Sequence, residues 1–122
     1  MSDGVLFEKY GITVRDGTVI FREGDVGDKM YIIQNGIVRI VKSMAGQDRQ
    51  LAELSKGEFF GEMAIISRMR RTATAVSAGT VQLLAFDRNG FEAMIAKNSQ
   101  VAMTVIDKLS RRLQHANAQI QR

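Results

Sequence analysis

Glu62 and Arg71 stand nine positions apart in the run Phe59-Phe60-Gly61-Glu62-Met63-Ala64-Ile65-Ile66-Ser67-Arg68-Met69-Arg70-Arg71-Thr72-Ala73-Thr74, with a glycine before the acid and small residues after the base. These residue types suit an anionic ligand that also carries hydroxyls. Glycine lets backbone N–H groups approach a phosphate, a carboxylate accepts from a sugar hydroxyl, and arginine meets a phosphate with a planar fork of donors. Glu62 would repel a phosphate, so its natural partner is a hydroxyl or a cation. The plainer rival is an ion pair between Glu62 and Arg71 beside a turn.

Taken alone, Gly61 to Ile66 reads as a turn that enters a short helix just after a strand. A helix N-terminus offers unpaired N–H groups and a dipole worth ~0.3–1 kcal/mol, against ~1.5–3 kcal/mol for a hydrogen bond from a charged guanidinium. Arg71 is therefore expected to matter most for the anion.

The elements that must hold these residues read as mainly β. Short β-rich runs recur at Ile12 to Val14, Thr18 to Phe21, Met30 to Gln34, Ile37 to Val41, Gln50 to Leu54, Thr72 to Ala78 and Val81 to Phe86. Regular short strands favour a sandwich or barrel. Asn35-Gly36 predicts a type I′ hairpin, because both residues tolerate positive φ. Arg22 to Asp28 reads as a loop, Met44 to Arg49 as a polar turn around Gly46, and Gly79 as a turn between the last two strands. Residues 1 to 10 read as a short amphipathic helix through Val5, Leu6 and Phe7, or as a frayed lead-in.

After Phe86 the pattern becomes helical. Asp87 caps a helix through Phe91, Met94 and Ile95, and Asn98 or Ser99 caps a second that runs towards Arg122. In the second helix Ala102, Ile106, Leu109, Leu113, Ala116 and Ile120 follow alternating steps of four and three, the spacing of a coiled-coil seam. The stripe serves either packing on its own domain or a dimer.

Composition narrows the chemistry. A chain of 122 residues fits one domain, and no apolar run approaches the ~18 residues of a membrane span, so a soluble, cytoplasmic protein is expected. Cysteine is absent and His115 is the only histidine, which removes disulfides, thiolate nucleophiles, Cys-based zinc sites and any multi-histidine metal centre or His-dependent triad. Enzymatic function is therefore the least favoured class. The net charge of +4 is a weak pull towards acidic partners, and the few aromatic residues do not interleave with the basic ones as a nucleic-acid stacking platform requires.

The run from Phe60 to Thr74 closely resembles the phosphate-binding cassette of the cyclic nucleotide-binding domain family. That cassette has the form Phe-Gly-Glu, apolar residues, a variable stretch, then Arg with small residues; Phe60-Gly61-Glu62-Met63-Ala64-Ile65 and Arg71-Thr72-Ala73-Thr74 match it. The resemblance extends through Ile20-Phe21-Arg22-Glu23-Gly24-Asp25, Met30-Tyr31-Ile32-Ile33 and Gly36-Ile37-Val38, over roughly residues 17 to 90. It implies an eight-stranded β-roll, a jelly-roll-like double-stranded β-helix, over about residues 11–86, with a C-terminal helix pair over about 87–122. By position, Glu62 resembles the acceptor for the ribose 2′-hydroxyl and Arg71 the partner of the cyclic phosphate. Gly61 and Ala64 resemble positions that offer backbone N–H groups, and Thr72 one whose N–H and hydroxyl reach phosphate or base. Met63 and Ala73 complete the expected ligand-binding set. The family often has proline before the cassette arginine; here Arg70 stands there.

The resemblance implies a non-catalytic sensor of cAMP or cGMP, without a metal or other cofactor. Ligand binding would be coupled to movement of the C-terminal helices. The family's terminal helix commonly closes over the base, so the 106 to 116 stretch, with Arg112 or His115, is a candidate lid. A homodimer through the C-terminal helix and a separate effector protein are expected; direct nucleic-acid contact is not, since the chain ends at Arg122 where family regulators continue into a helix-turn-helix domain, nor is membrane contact, for want of a long apolar run. Two alternatives stay open: a β-roll interaction module that has lost its ligand, and the sensor half of a transcription regulator.

Overall fold

The computed structural model describes the backbone of residues 3–120 and the side chains of residues 4–114. The chain divides into two compact units, Met1–Arg88 and Asn89–Arg122. In the first, helix α1 (Asp3–Tyr10) leads into strands β1 (Gly11–Val14), β2 (Val19–Phe21), β3 (Met30–Met44), β4 (Gln47–Leu54) and β5 (Phe59–Phe60). The one-turn helix α2 (Met63–Ile66) and strand β6 (Thr74–Phe86) follow. All six strands form one antiparallel sheet in which β1, β6, β3 and β4 are successive neighbours, with β2 on β6 and β5 on β3.

Two long strands organise this sheet, and here the expected hairpin fails. Asn35-Gly36 does not turn the chain back: β3 runs on through it, pairing with β6 from Met30↔Phe86 to Val41↔Thr74. Gly79 likewise lies inside β6 instead of separating two strands. The register slips on both sides of Asn35, where Ile33 faces Leu83 and Ile37 faces Ala78. Gly36 has φ +101°, and a Cβ placed on it would come within 2.7 Å of the Thr80 carbonyl oxygen. Positive φ therefore occurs at Gly36 but not at Asn35, and it serves a bulge against β6. Ten registered pairs with β6 outweigh the local turn preference of two residues. Each long strand does duty as two across this bulge, so counting the halves separately recovers the eight strands of a β-roll.

The tight hairpin falls one turn later. Met44 pairs with Gln47 across Ala45-Gly46, with φ +53° and +78°, the positive pair of a two-residue type I′ loop.

The core lies on one face of this bent sheet. Tyr31, Ile33, Val38, Phe60, Ala75, Val81 and Leu83 form its buried cluster, with Phe21, Ile40 and Leu54 packed against it. Phe86 and Met30 are fully buried, and Tyr10 of α1 meets Phe86 with ring centroids 4.5 Å apart. Burying each large apolar side chain contributes roughly 1.5–3 kcal/mol. Those contributions stiffen the frame from which the cassette projects.

The second unit comprises α3 (Arg88–Lys97, joined across the division) and α4 (Ser99–Ile120). Asn98 lies between them: its carbonyl accepts from the Val101 and Ala102 N–H groups, while its side-chain amide donates to Met94 O. It thus opens α4 through its backbone and closes α3 through its side chain. Among the described side chains of α4, Val105 is buried, whereas Ile106 and Leu113 of the expected seam are exposed and Ala102 and Leu109 half-buried. The Ala116 and Ile120 side chains, and that of His115, lie outside the described residues. No helix among the described residues is long and apolar enough to cross a membrane.

Candidate functional site

β5 and β6 bring Gly61 and Arg71 together, because β5 pairs with the start of β3 and β6 with most of it, from Met30 to Val41. The chain leaves β5 at Gly61, whose φ of +79° turns it into α2. A four-residue helix sums little macrodipole, so the positive end anticipated there reduces to local N–H groups. Even these are partly used: the Ala64 N–H makes a long 3.4 Å contact to Gly61 O.

Arg71 is the centre of the site. It is only 7% exposed, yet it carries a charge, so its surroundings must compensate. Nη1 donates to Gly61 O at 2.9 Å and Nη2 to Lys29 O at 2.7 Å. The guanidinium carbon lies 4.0 Å from the centre of the Phe21 ring. Two glycines make room for it. A Cβ on Gly61 would lie 2.7 Å from Nη1, and one on Gly27 would fall on Nε, Nη2 and Cζ.

Nε is buried and has no hydrogen-bond partner among the described residues. An unpaired buried donor costs about 1–3 kcal/mol, more when charged. Burial pushes the Arg71 pKa down, opposed by Tyr31, Asp28, Asp25 and Glu62 in that order of strength. Arginine's ordinary value is so high that it stays cationic. The result is a desolvated cation with one free N–H edge, a strong donor for an oxyanion.

The backbone at Arg71 is held independently. Its N–H donates to Asp25 O at 2.8 Å and its carbonyl accepts from Gly24 N–H at 2.7 Å, so the loop between β2 and β3 braces it. Arg70 reaches the same loop, with Nη1 donating to Gly24 O at 3.1 Å. Lys42 Nζ donates to Thr72 O at 2.8 Å. The position often occupied by proline in the family is thus secured by a side-chain hydrogen bond instead.

Of the other expected residues, Glu62 is 4% exposed and precedes α2 without capping it through its side chain. Ala64 and Ala73 are buried, Gly61 is half-buried, and Met63 and Thr72 are exposed. The two hydrogen bonds found for the Arg71 side chain go to backbone carbonyls, and Glu62 acts on its charge electrostatically. Sequence reasoning missed Phe21, Gly27 and Lys29. Phe21 lay inside a quoted resemblance segment, but nothing in a linear pattern says that its ring meets an arginine fifty positions on.

No group of three or more acidic, histidine or cysteine side chains suited to a metal occurs among the described residues. The Cyclic nucleotide-binding domain family model matches residues 12–98, which includes every residue of this site. The chain belongs to that family. It is 37% identical over 105 residues to the cyclic AMP receptor protein of Thermus thermophilus, a match covering 85% of this chain and 49% of that protein. It is 34% identical over 108 residues to the cGMP-dependent protein kinase, isozyme 1, of Drosophila melanogaster, covering 84% of this chain and 14% of the kinase. The crystal structure of the Thermus thermophilus catabolite activator protein superposes with a TM-score of 0.83 at 32% identity, over 97% of this chain and 56% of that one. The chain thus spans about half the length of the receptor and less of the kinase. As a cyclic nucleotide-binding domain, it has the β-roll of its structural relatives.

Proposed function

We propose that this domain binds a cyclic purine mononucleotide at Gly61, Glu62, Met63, Ala64, Arg71, Thr72 and Ala73. Arg71 pairs with the cyclic phosphate, Glu62 accepts from the ribose 2′-hydroxyl, and N–H groups near Gly61, Ala64 and Thr72 line the phosphate. The observation that carries this reading is the buried guanidinium of Arg71 with its unpartnered Nε. A singly charged phosphodiester is proportionate to one such cation.

Relatives named for cAMP and for cGMP both align with the chain, at 37% and 34% identity, so both nucleotides are candidate ligands. Binding regulates by shifting the arrangement of α3 and α4, and it does so only to the extent that the ligand prefers one arrangement. The exposed Met103, Ile106 and Leu113 support a dimer through α4.

Calorimetric titration with cAMP, cGMP and a cyclic dinucleotide, repeated on Arg71→Ala, tests the assignment. Binding of a mononucleotide that is lost with Arg71→Ala is expected. Absence of binding at millimolar nucleotide would instead favour an interaction module, and an unchanged Arg71→Ala would remove the arginine from the site.

A further inference from the structure

Phe21 belongs to β2, outside the cassette, yet it touches both of the cassette's ends. Its ring lies beneath the Arg71 guanidinium at 4.0 Å, and a Cβ on Gly61 would lie 3.2 Å from its Cε2. On its other sides the ring meets Phe60 and Tyr31, at centroid separations of 5.9 and 6.1 Å, and those two rings stack on each other at 5.2 Å. Phe21 is therefore the point at which the apolar core reaches the buried charge.

We infer that Phe21 is a positioning residue for Arg71, holding the plane of the guanidinium so that its unpartnered Nε–H meets a phosphate oxygen. This rests on the proposed role of Arg71 as phosphate partner. Hydrogen bonds to Gly61 O and Lys29 O fix two nitrogens but leave the group free to rock about the line between them. The ring face opposes that rocking, because its negative quadrupole attracts the cation best when the guanidinium lies over it. Gly27 packs so close to the group that a Cβ there would fall on Nε, Nη2 and Cζ. A planar fork kept in register delivers two parallel donors, whereas a tilted one delivers a single bent hydrogen bond. An aliphatic side chain at position 21 would fill the same space without a π face.

The test compares Phe21→Leu, Phe21→Tyr and Arg71→Ala by calorimetry with cAMP and cGMP, alongside the Arg71 Hε resonance of each arginine-bearing protein by NMR. Phe21→Leu is expected to weaken nucleotide binding about fivefold to thirtyfold while Phe21→Tyr stays within about threefold. The Arg71 Hε resonance should be shifted by ring current in wild type and Phe21→Tyr and lose that shift in Phe21→Leu. Wild-type affinity in Phe21→Leu overturns the inference, as does an equal loss in Phe21→Leu and Phe21→Tyr, which would mark packing alone. Should Phe21→Leu not fold, an unshifted Hε in wild type overturns it. Unchanged affinity in Arg71→Ala would overturn the underlying reading itself, a result distinct from a silent Phe21→Leu with Arg71 essential.

Discussion

Arg71 Nη1 donates to the carbonyl oxygen of Gly61 at 2.9 Å across ten positions of sequence, so the acidic turn and the basic segment before β6 are joined directly. That contact orients the group meant for the ligand with the backbone of the turn meant to surround it. Lysine has the charge but neither the fork nor the reach to serve Gly61 O, Lys29 O and an anion together. Arg71→Lys should weaken nucleotide binding by about 1.5–3 kcal/mol, roughly tenfold to a hundredfold in Kd by calorimetry.

The two glycines around the guanidinium should separate stability from binding. Gly61→Ala meets both a φ of +79° and the Arg71 side chain, so it is expected to lower stability by about 1–2 kcal/mol and to weaken the nucleotide. Gly27→Ala meets only the guanidinium, so its loss should appear mainly in affinity. Thermal unfolding and calorimetry on both variants check the contrast.

Glu62→Gln keeps the shape of a buried side chain but weakens it as an acceptor. Its loss in affinity, about 1–2 kcal/mol for cAMP, should nearly vanish with 2′-deoxy-cAMP, which lacks the hydroxyl. Equal losses with both nucleotides would detach Glu62 from the ribose.

Burial raises the Tyr31 pKa above its ordinary 10.0, against the lowering effect of Arg71 and with the help of Asp28. A pKa raised on folding stabilises the protein fully below the unfolded value and loses that contribution as pH rises through the folded one. Stability should therefore fall above about pH 10, and Tyr31→Phe should flatten that decline in denaturant titrations taken as a function of pH.

Leu113 is 63% exposed on α4 and lies on the same stripe as Ile106. If α4 forms the dimer, Leu113→Lys should shift sedimentation towards the monomer while leaving the nucleotide affinity of each chain within about threefold. Dimers of unchanged strength would place the interface elsewhere.

Much of the site was legible because its chemistry is local. Gly61, Glu62, Arg71 and Thr72 sit within one short run, and their residue types speak for phosphate and hydroxyl without a fold. The helical change after Phe86 and the loop at Arg22 to Asp28 were also readable from periodicity and turn residues. The strand pairing was less so. Asn35-Gly36 carries a hairpin preference in any context, and only the register of β3 against β6 converts it into a bulge. Likewise Val105, not the seam residues on either side of it, is the buried position among the described side chains of α4, since periodicity names an apolar stripe but not what faces it.

By itself, then, the order of residues determined which groups are proposed here for an anion and a hydroxyl, and that they ride on a β-rich frame. Tertiary structure decided how Arg71 is used. Its carbonyl partners, its glycine walls and the Phe21 ring come from β2, the loop after it and the turn after β5, separated from it by ten to fifty positions. The physical reason is that a buried cation must be compensated by whatever the fold brings within a few ångströms. Sequence spacing does not encode that distance; strand register does.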